Sequence, residues 1–98
     1  MIYESTKDGE IVRALQPGDV ARAMHRGSIA VACVAGSIAE ACVAGSKAKA
    51  RAAGSRAEAL APGSTAVACV AGSKAKAWAK GSKAKAWVAG AIAIPYAA

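Results

Sequence analysis

The side chains that could carry out acid–base or nucleophilic chemistry are few. His25 is the single histidine of the chain, and we interpret it as a structural residue beneath an N-terminal cap. Glu40 and Glu58 could form a carboxylate pair, but Arg56 and the neighbouring lysines favour a ladder of surface charges. Because an active site needs dissimilar groups that converge in a cleft, the sequence predicts no catalytic residue, and we expect a protein that is not an enzyme.

The three cysteines, Cys33, Cys42 and Cys69, provide neither an even number for disulfides nor a closely spaced pair for a metal. We therefore predict free thiols in a reducing compartment, with no metal site and no cofactor. The chain does not begin with a basic segment followed by an apolar one, and its charge-free runs are shorter than the ~20 residues that a spanning helix needs. These features predict a cytoplasmic protein without membrane contact.

Basic and aromatic side chains offer binding chemistry instead. The net charge is +7, and the segments KAKAWAK and KAKAWVA combine lysines with a tryptophan. Lysines beside a stacking ring suit single-stranded nucleic acid, and positive charge also attracts acidic proteins. Lysines that only protect strand edges from aggregation are the alternative. The candidate partner or nucleic-acid surface comprises Lys47, Lys49, Arg51, Lys74, Lys76, Trp78, Lys80, Lys83, Lys85 and Trp87.

A nine-residue repeat must position these side chains. Glycine recurs at positions 9, 18, 27, 36, 45, 54, 63, 72, 81 and 90, and these are all ten glycines of the chain. The fourth and sixth residues of each unit are alanine almost throughout, whereas the third, fifth and seventh vary. This period of two predicts a strand over the third to eighth positions, with one buried and one exposed face. Helices between the glycines are the alternative, but such short segments are not stable alone.

The glycine and the serine that follows it mark the turn. Glycine can reset the alternation because a positive φ costs it no steric clash, so the ninth, first and second positions are predicted to form the turn. The serines from Ser28 to Ser82 are expected to bond the turn backbone rather than to act as nucleophiles. The eighth position, which includes His25, is predicted to point inward.

Two or three repeats could complete one coil. Two give a flattened solenoid whose facing alanine methyl groups fill a thin interior, whereas a triangular coil lined with alanine would be hollow. The triangular form would sort the surface residues more cleanly. We favour two, and predict an all-β fold, a parallel β-solenoid of ten nine-residue repeats. The alanines expected to be buried are Ala30, Ala32, Ala48, Ala50, Ala66, Ala68, Ala84 and Ala86.

The repeat defines a single domain, because 98 residues are too few to build two cores. Residues 1–17 are predicted to be an N-terminal cap and first repeat, and residues 18–98 the nonapeptide-repeat β-solenoid. Near the other end, Pro95 replaces an alanine and removes a backbone donor from the last strand. Both ends are therefore expected to be blocked against end-to-end growth.

The seventh position of most units carries a large or soft apolar residue that is expected to point outward. With two repeats per coil every second unit stacks, which aligns one ridge along one sheet: Met24, Cys42, Leu60, Trp78 and Tyr96. Exposed apolar ridges commonly mark interfaces. We predict that the chain forms a homo-oligomer through this ridge.

The G-S-x-A-x-A units over residues 18–94 resemble the alanine- and glycine-rich short-repeat proteins that bacteriophages encode. The resemblance implies a small β-solenoid of the host cytoplasm that occupies the surface of an acidic protein or nucleoprotein, as an inhibitor of a host or defence protein. Two other functions stay open: a nucleic-acid-binding protein that uses the Lys/Trp units, and a structural component of a virion or assembly. The calcium-binding nonapeptide β-roll is similar in period but has glycine and aspartate where this chain has alanine, so no calcium site is implied.

Overall fold

The computed structural model describes residues 2–94 of the chain, which form eleven short strands and contain no helix. Each strand from β2 to β10 covers the third to sixth positions of one repeat. In chain order the strands are β1 (Ile2–Glu4), β2 (Ile11–Ala14), β3 (Val20–Ala23), β4 (Ile29–Ala32), β5 (Ile38–Ala41), β6 (Lys47–Ala50), β7 (Arg56–Ala59), β8 (Thr65–Ala68), β9 (Lys74–Ala77), β10 (Lys83–Ala86) and β11 (Ile92–Ile94). The all-β prediction is confirmed.

The strands form two parallel sheets that the chain visits alternately. Sheet A has the order β1-β3-β5-β7-β9-β11, and sheet B has the order β2-β4-β6-β8-β10. Each residue pairs with the residue two repeats later, as Val20 does with Ile38 and Ile38 with Arg56. Two repeats therefore complete one coil of about 18 residues. This confirms the flattened solenoid, and the triangular alternative is wrong.

Alanine methyl groups and serine side chains fill the space between the two sheets. Side chains alternate along a strand, so the fourth and sixth positions point inward, as does the second position at the preceding corner. Small methyl groups let the sheets approach closely enough to reach the density that protein interiors require. The fully buried alanines of this core are Ala14, Ala21, Ala23, Ala30, Ala32, Ala39, Ala41, Ala48, Ala50, Ala57, Ala59, Ala66, Ala68 and Ala75.

A four-residue β-turn at each corner takes the chain from one sheet to the other. It runs from the eighth position of one unit to the second position of the next, and at one corner the Ser55 N–H donates to the Ala52 carbonyl at 3.0 Å. The third residue of the turn is the repeat glycine, and Gly54 has a φ of 81°. A glycine with positive φ at this position, preceded by Pro17 or Pro62 at two of the corners, is the pattern of a type II turn. An L side chain at Gly54 would be strained, which explains why glycine recurs without a gap.

The serine that follows each glycine holds its corner through its side chain. Ser55 Oγ donates to the Ala52 carbonyl at 2.5 Å and accepts from the Ala52 N–H at 3.2 Å. The hydroxyl therefore satisfies both backbone groups of the residue that starts the turn, and the serines are predicted correctly as turn residues. The same pair of bonds is made by Ser28, Ser37, Ser46, Ser64, Ser73 and Ser82.

The structure corrects three details of the predicted repeat. The strands end at the sixth position, not the eighth, because the eighth residue already begins the turn. The side chain of that residue is half-exposed, as at Val34 and His25, since the following serine occupies the interior in its place. Ala84 is only half-buried and Ala86 is exposed, because β10 is the outermost strand of sheet B within residues 2–94.

The N-terminal leader continues the solenoid. β1 pairs with β3, with Ile2 opposite Val20 and Glu4 opposite Arg22, so the leader adds one strand to sheet A in the register of the repeats. At the same end Val12 replaces the fourth-position alanine and packs against the alanine core. Pro95, the predicted block at the other end, lies outside the described residues.

Enlarging one interior alanine should destabilise the fold. Ala66→Leu places three extra carbon atoms between sheets that are separated by methyl groups, and overpacking of this kind typically costs about 1–3 kcal/mol. Ala44→Leu is the matched control, because Ala44 lies at an exposed corner. Urea unfolding followed by circular dichroism measures the difference, and equal midpoints for the two variants would contradict the interior that we describe.

Removing one buried corner hydroxyl should also destabilise the protein. Ser55→Ala leaves the Ala52 N–H without its side-chain partner, although the Ala52 carbonyl still accepts from the Ser55 N–H, and an unsatisfied buried group costs about 1–3 kcal/mol. Ser82→Ala should cost less, since Ser82 is half-exposed and water can replace its hydroxyl. Thermal unfolding of both variants tests the prediction, which fails if Ser82→Ala is the more damaging change.

Candidate binding faces

Among residues 2–94, the outer face of sheet B carries positive charge only. Outer positions are the third and fifth of each strand and the seventh that follows it, because these alternate with the buried alanines. Over the described residues the outer positions of sheet B hold no acidic side chain and six basic ones: Arg13, Lys47, Lys49, Arg51, Lys83 and Lys85. Folding thus collects on one face bases that are dispersed along the sequence.

The bases of sheet B lie on alternate strands. β6 and the residue after it supply three, β10 supplies two and β2 supplies one, whereas β4 and β8 supply none. In the fifth-position row, Lys49 lies in register between Val31 and Val67. These valines point outward but are only 5% and 4% exposed, which is explained by the long stems of the flanking basic side chains. Basic strands are therefore about 9.6 Å apart, twice the strand spacing.

An exposed tryptophan lies at the last described strand of this face. Trp87 follows β10, and its N–H donates to the Ala68 carbonyl at 3.0 Å, which extends the ladder of sheet B by one residue. Its side chain is 63% exposed. Lys83 and Lys85 precede it on the same side of the strand, so the three side chains form one cluster.

The outer face of sheet A carries charges of both signs. The fifth-position row reads Glu4, Arg22, Glu40, Glu58 and Lys76 in successive strands. Arg22 donates to Glu40 at 2.9 Å and to Glu4 at 3.3 Å, and these hydrogen bonds, that to Glu40 first, raise the pKa of the guanidinium. Like charges on adjacent strands repel, so the neighbours Glu40 and Glu58 are the unfavourable pair of the row.

Glu58 combines partial burial with a neighbour of the same charge. Burial raises the pKa of its carboxyl, and the charge of Glu40 raises it further, whereas a hydrogen bond from Trp78 and the charge of Lys76 act in the opposite direction. The Lys76 ammonium also lies 5.6 Å from the centroid of the Trp78 ring, which is a cation–π contact. Glu58, Lys76 and Trp78 therefore form one interacting cluster on sheet A.

The seventh positions of sheet A form an apolar ridge beside the charged row. Met24, Cys42, Leu60 and Trp78 follow successive strands, and each of the last three donates its N–H to an alanine carbonyl of the previous coil. Trp78 is 54% exposed. Burial raises the pKa of the Cys42 thiol, and the nearby Glu40 charge adds to this effect. Tyr96, the fifth residue of the predicted ridge, lies outside the described residues.

The structure divides the predicted partner surface between opposite faces. Lys74, Lys76 and Trp78 lie on sheet A, Lys80 lies at a corner, and the other six residues lie on sheet B. The prediction missed Arg13, which also lies on the basic face. It also did not anticipate that the uncharged strands β4 and β8 lie between the basic strands of that face. Sorting the repeats into odd and even units would have found them, because a two-repeat coil places every second unit on the same sheet.

The remaining candidates for chemistry have structural roles or lie apart. His25 Nδ1 is 3.2 Å from Ser5 Oγ, and Ser5 Oγ accepts from the Met24 N–H at 2.8 Å, so His25 belongs to the bonding of the first coil. The cysteines are free thiols. Residues 2–94 contain no group of three or more His, Cys, Asp or Glu side chains that could hold a metal ion. In the same part of the chain we find no helix with the length and hydropathy needed to cross a membrane.

Comparisons with known proteins do not assign the chain to a family. No family model matches it, and neither a curated protein nor a solved structure matches it. The resemblance to phage-encoded repeat proteins therefore stays a prediction, and function has to be argued from the two faces.

Replacing Glu58 by glutamine should stabilise the single chain at neutral pH. A carboxyl whose pKa is raised by folding holds its proton more tightly in the folded state, so stability falls as the pH rises from the ordinary value of 4.5 through the raised one. Glu58→Gln removes this loss of stability at pH values above the raised pKa. Below pH 4.5 it changes the stability little, because the protonated glutamate and the glutamine are both neutral. Thermal unfolding at low micromolar concentration, from about pH 3 to about pH 8, measures the effect.

Glu10→Gln is the control with the opposite sign. Hydrogen bonds from Thr6, its backbone N–H first, lower the pKa of the Glu10 carboxyl, so its contribution to stability is present above pH 4.5 and is lost as the pH falls through the lowered value. Glu10→Gln should therefore destabilise the protein at neutral pH and not in acid. A Glu58→Gln effect that is the same at both ends of the pH range would contradict our description of this carboxyl.

Proposed function

We propose that this chain is a non-enzymatic binding protein that occupies an acidic surface of another protein through the outer face of sheet B. The observation that carries the proposal is the segregation of charge. Six bases and no acid lie on the outer positions of that face over the described residues. A face with one sign of charge speeds encounter with an oppositely charged partner and disfavours partners of like charge.

The uncharged strands between the basic ones favour a protein as the partner. β4 and β8 present the half-exposed side chains of Ile29 and Thr65 between the basic strands, whereas Val31 and Val67 are nearly buried beneath the stems of the flanking bases. Protein interfaces combine apolar contacts with charged groups at the rim, whereas binding to a phosphate backbone depends on the bases. The mixture of apolar and basic rows on sheet B suits the first kind of contact.

Inhibition of the partner is part of the proposal. The repeats resemble those of small phage-encoded proteins, and a flat face of a small, regular solenoid can cover an acidic site without any chemical step. A host or defence protein whose ligand or substrate site is acidic would be blocked in this way. The resemblance supports this role.

Binding of single-stranded nucleic acid is the second candidate, and Trp87 is the observation that favours it. The exposed indole and the two lysines of β10 offer a stacking surface beside positive charge, and stacking of one base on an aromatic side chain is worth about 1–3 kcal/mol. Trp87→Ala should then weaken binding of a single-stranded oligonucleotide about tenfold or more. The same change should have little effect on binding to an acidic protein, because Trp87 lies at the edge of the face.

Charge reversal on sheet B tests the proposed function. One variant carries Lys47→Glu, Lys49→Glu and Arg51→Glu on β6 and the residue after it, and the control carries Lys7→Glu, Arg26→Glu and Lys80→Glu at exposed corners. Each variant lowers the formal charge from +7 by six units, so the two differ only in where the charge is lost. Both are compared with the original chain in capture of bacterial proteins before and after nuclease treatment.

The sheet B variant should lose capture of its partner, whereas the corner variant should retain most of it. Reversing three contacts that are each worth about 0.5 kcal/mol should weaken binding at least tenfold. Capture that disappears after nuclease treatment would identify the partner as nucleic acid and not as an acidic protein. Equal losses in the two variants would overturn the assignment of the interface to sheet B.

A further inference from the structure

We propose that two copies of the chain associate face to face through sheet A, with their coil stacks antiparallel and with Glu40 and Cys42 at the two-fold axis. Sheet A has the features of an interface, because the apolar ridge of Met24, Cys42, Leu60 and Trp78 runs beside a row of charges of both signs. It lies on the side opposite the basic face. The inference therefore does not depend on the proposed function.

Two arrangements with two-fold symmetry keep the strands of two facing copies aligned. In the first, the axis runs along the stack of coils, so each strand faces its own equivalent. When the axis passes over the fifth-position row, every charge of that row faces its own equivalent, with Arg22 against Arg22 and Lys76 against Lys76. Facing like charges repel, so the charge row disfavours this arrangement throughout its length.

In the second arrangement the axis runs along the strands, and the order of strands is reversed in the second copy. With the axis at β5, Glu4 faces Lys76 of the second copy, and Arg22 faces Glu58. The symmetry doubles both pairs, which gives four attractive contacts. Glu40 faces Glu40, but each of these carboxylates already accepts a hydrogen bond from its own Arg22 at 2.9 Å. The charge row is thus self-complementary when it is read in opposite directions.

Other registers of the antiparallel arrangement fit less well. An axis at β7 places Arg56 against Arg56 and Glu58 against Glu58, and an axis at β3 places Arg22 against Arg22. An axis midway between β5 and β7 places Arg22 against Lys76. Among the described strands, the register centred on β5 has four attractive contacts in the row, more than any other register, and its one pair of like charges lies at the axis.

The apolar side chains support the same register. With the axis at β5, Met24 faces Leu60 of the second copy, and Cys42 faces Cys42. In the third-position row, Ile38 faces Ile38. The centre of the interface is therefore apolar on both sides of the Glu40 pair. Within one chain the Glu58 carboxyl lies beside the charge of Glu40. In this register it also faces the Arg22 guanidinium of the second copy.

The overlap between the two copies is small. Five strands spaced about 4.8 Å apart and five residues spaced about 3.3 Å apart cover roughly 400 Å² on each copy, or about 800 Å² in total. Interfaces below about 1,200 Å² belong to weak or transient complexes. Association is therefore expected at tens to hundreds of micromolar protein, and experiments have to be done in that range.

Thiol crosslinking tests the position of the axis. The variant Cys33→Ser/Cys69→Ser keeps Cys42 alone on sheet A, and the control Cys42→Ser/Cys69→Ser keeps Cys33 alone on sheet B. With a short bismaleimide at about 100 μM protein, most Cys42 chains should become covalent dimers, whereas Cys33 chains should stay single. An equal yield for the two variants, or no dimer from Cys42, would overturn the proposal.

Charge reversal tests the antiparallel register. Lys76→Glu places an acid opposite Glu4 of the second copy, and by symmetry this happens at both ends of the dimer. The change should weaken association about tenfold, since an exposed pair is worth up to about 1 kcal/mol. Adding Glu4→Lys restores opposite charges and should return the dissociation constant to within about threefold of the original. Lys49→Glu on sheet B is the control that should leave association unchanged.

Sedimentation equilibrium measures these constants, and circular dichroism shows that each variant keeps its strands. The rescue is specific to the proposed register, because Glu4 has no facing residue when the axis lies at β7. A wild-type chain that stays monomeric at several hundred micromolar would overturn the proposal. So would a Lys76→Glu/Glu4→Lys variant that associates no better than Lys76→Glu alone.

Discussion

The thin alanine interior is the constraint on which the rest of this structure depends. Two sheets whose inward side chains are methyl groups can pack densely only at one separation, and each coil has to repeat that separation. The corners meet this requirement because glycine supplies the positive φ and serine bonds the backbone of the turn with its buried hydroxyl. Stability then sums over similar coils rather than residing in one cluster of large side chains.

An interior of this kind leaves the outer positions free of packing demands. The third, fifth and seventh residues of a unit contact mainly their equivalents in the coils above and below, so the chain can change them without disturbing the core. Sheet B uses this freedom to collect bases on alternate strands, and sheet A uses it to combine opposite charges with an apolar ridge. The two faces can therefore serve different partners within one small domain.

The row of charges on sheet A contains the clearest local conflict of the fold. Glu40 and Glu58 are neighbours although like charges on adjacent strands repel, and partial burial raises the pKa of Glu58. The regular hydrogen bonds of the corner serines do not depend on this pair. Local conflicts of this sort are expected where a surface is adapted to a partner, and a second copy supplies the missing charge in the antiparallel arrangement.

The sequence by itself determined the strand period, the burial of the central alanines and the corner serines, because these follow from a nine-residue repeat and from side chains that alternate along a strand. The pairing of Glu40 with Glu58 follows only once two repeats complete a coil. Only the tertiary structure decided where each strand ends, why His25 at the eighth position is half-exposed, and why Ala86 is not buried. These features depend on which side chain fills the interior at a corner and on which strand lies outermost. The charge on each face was likewise decided by the coil, since bases that are close in the sequence, such as Lys76 and Lys83, lie on opposite sheets once two repeats complete a turn.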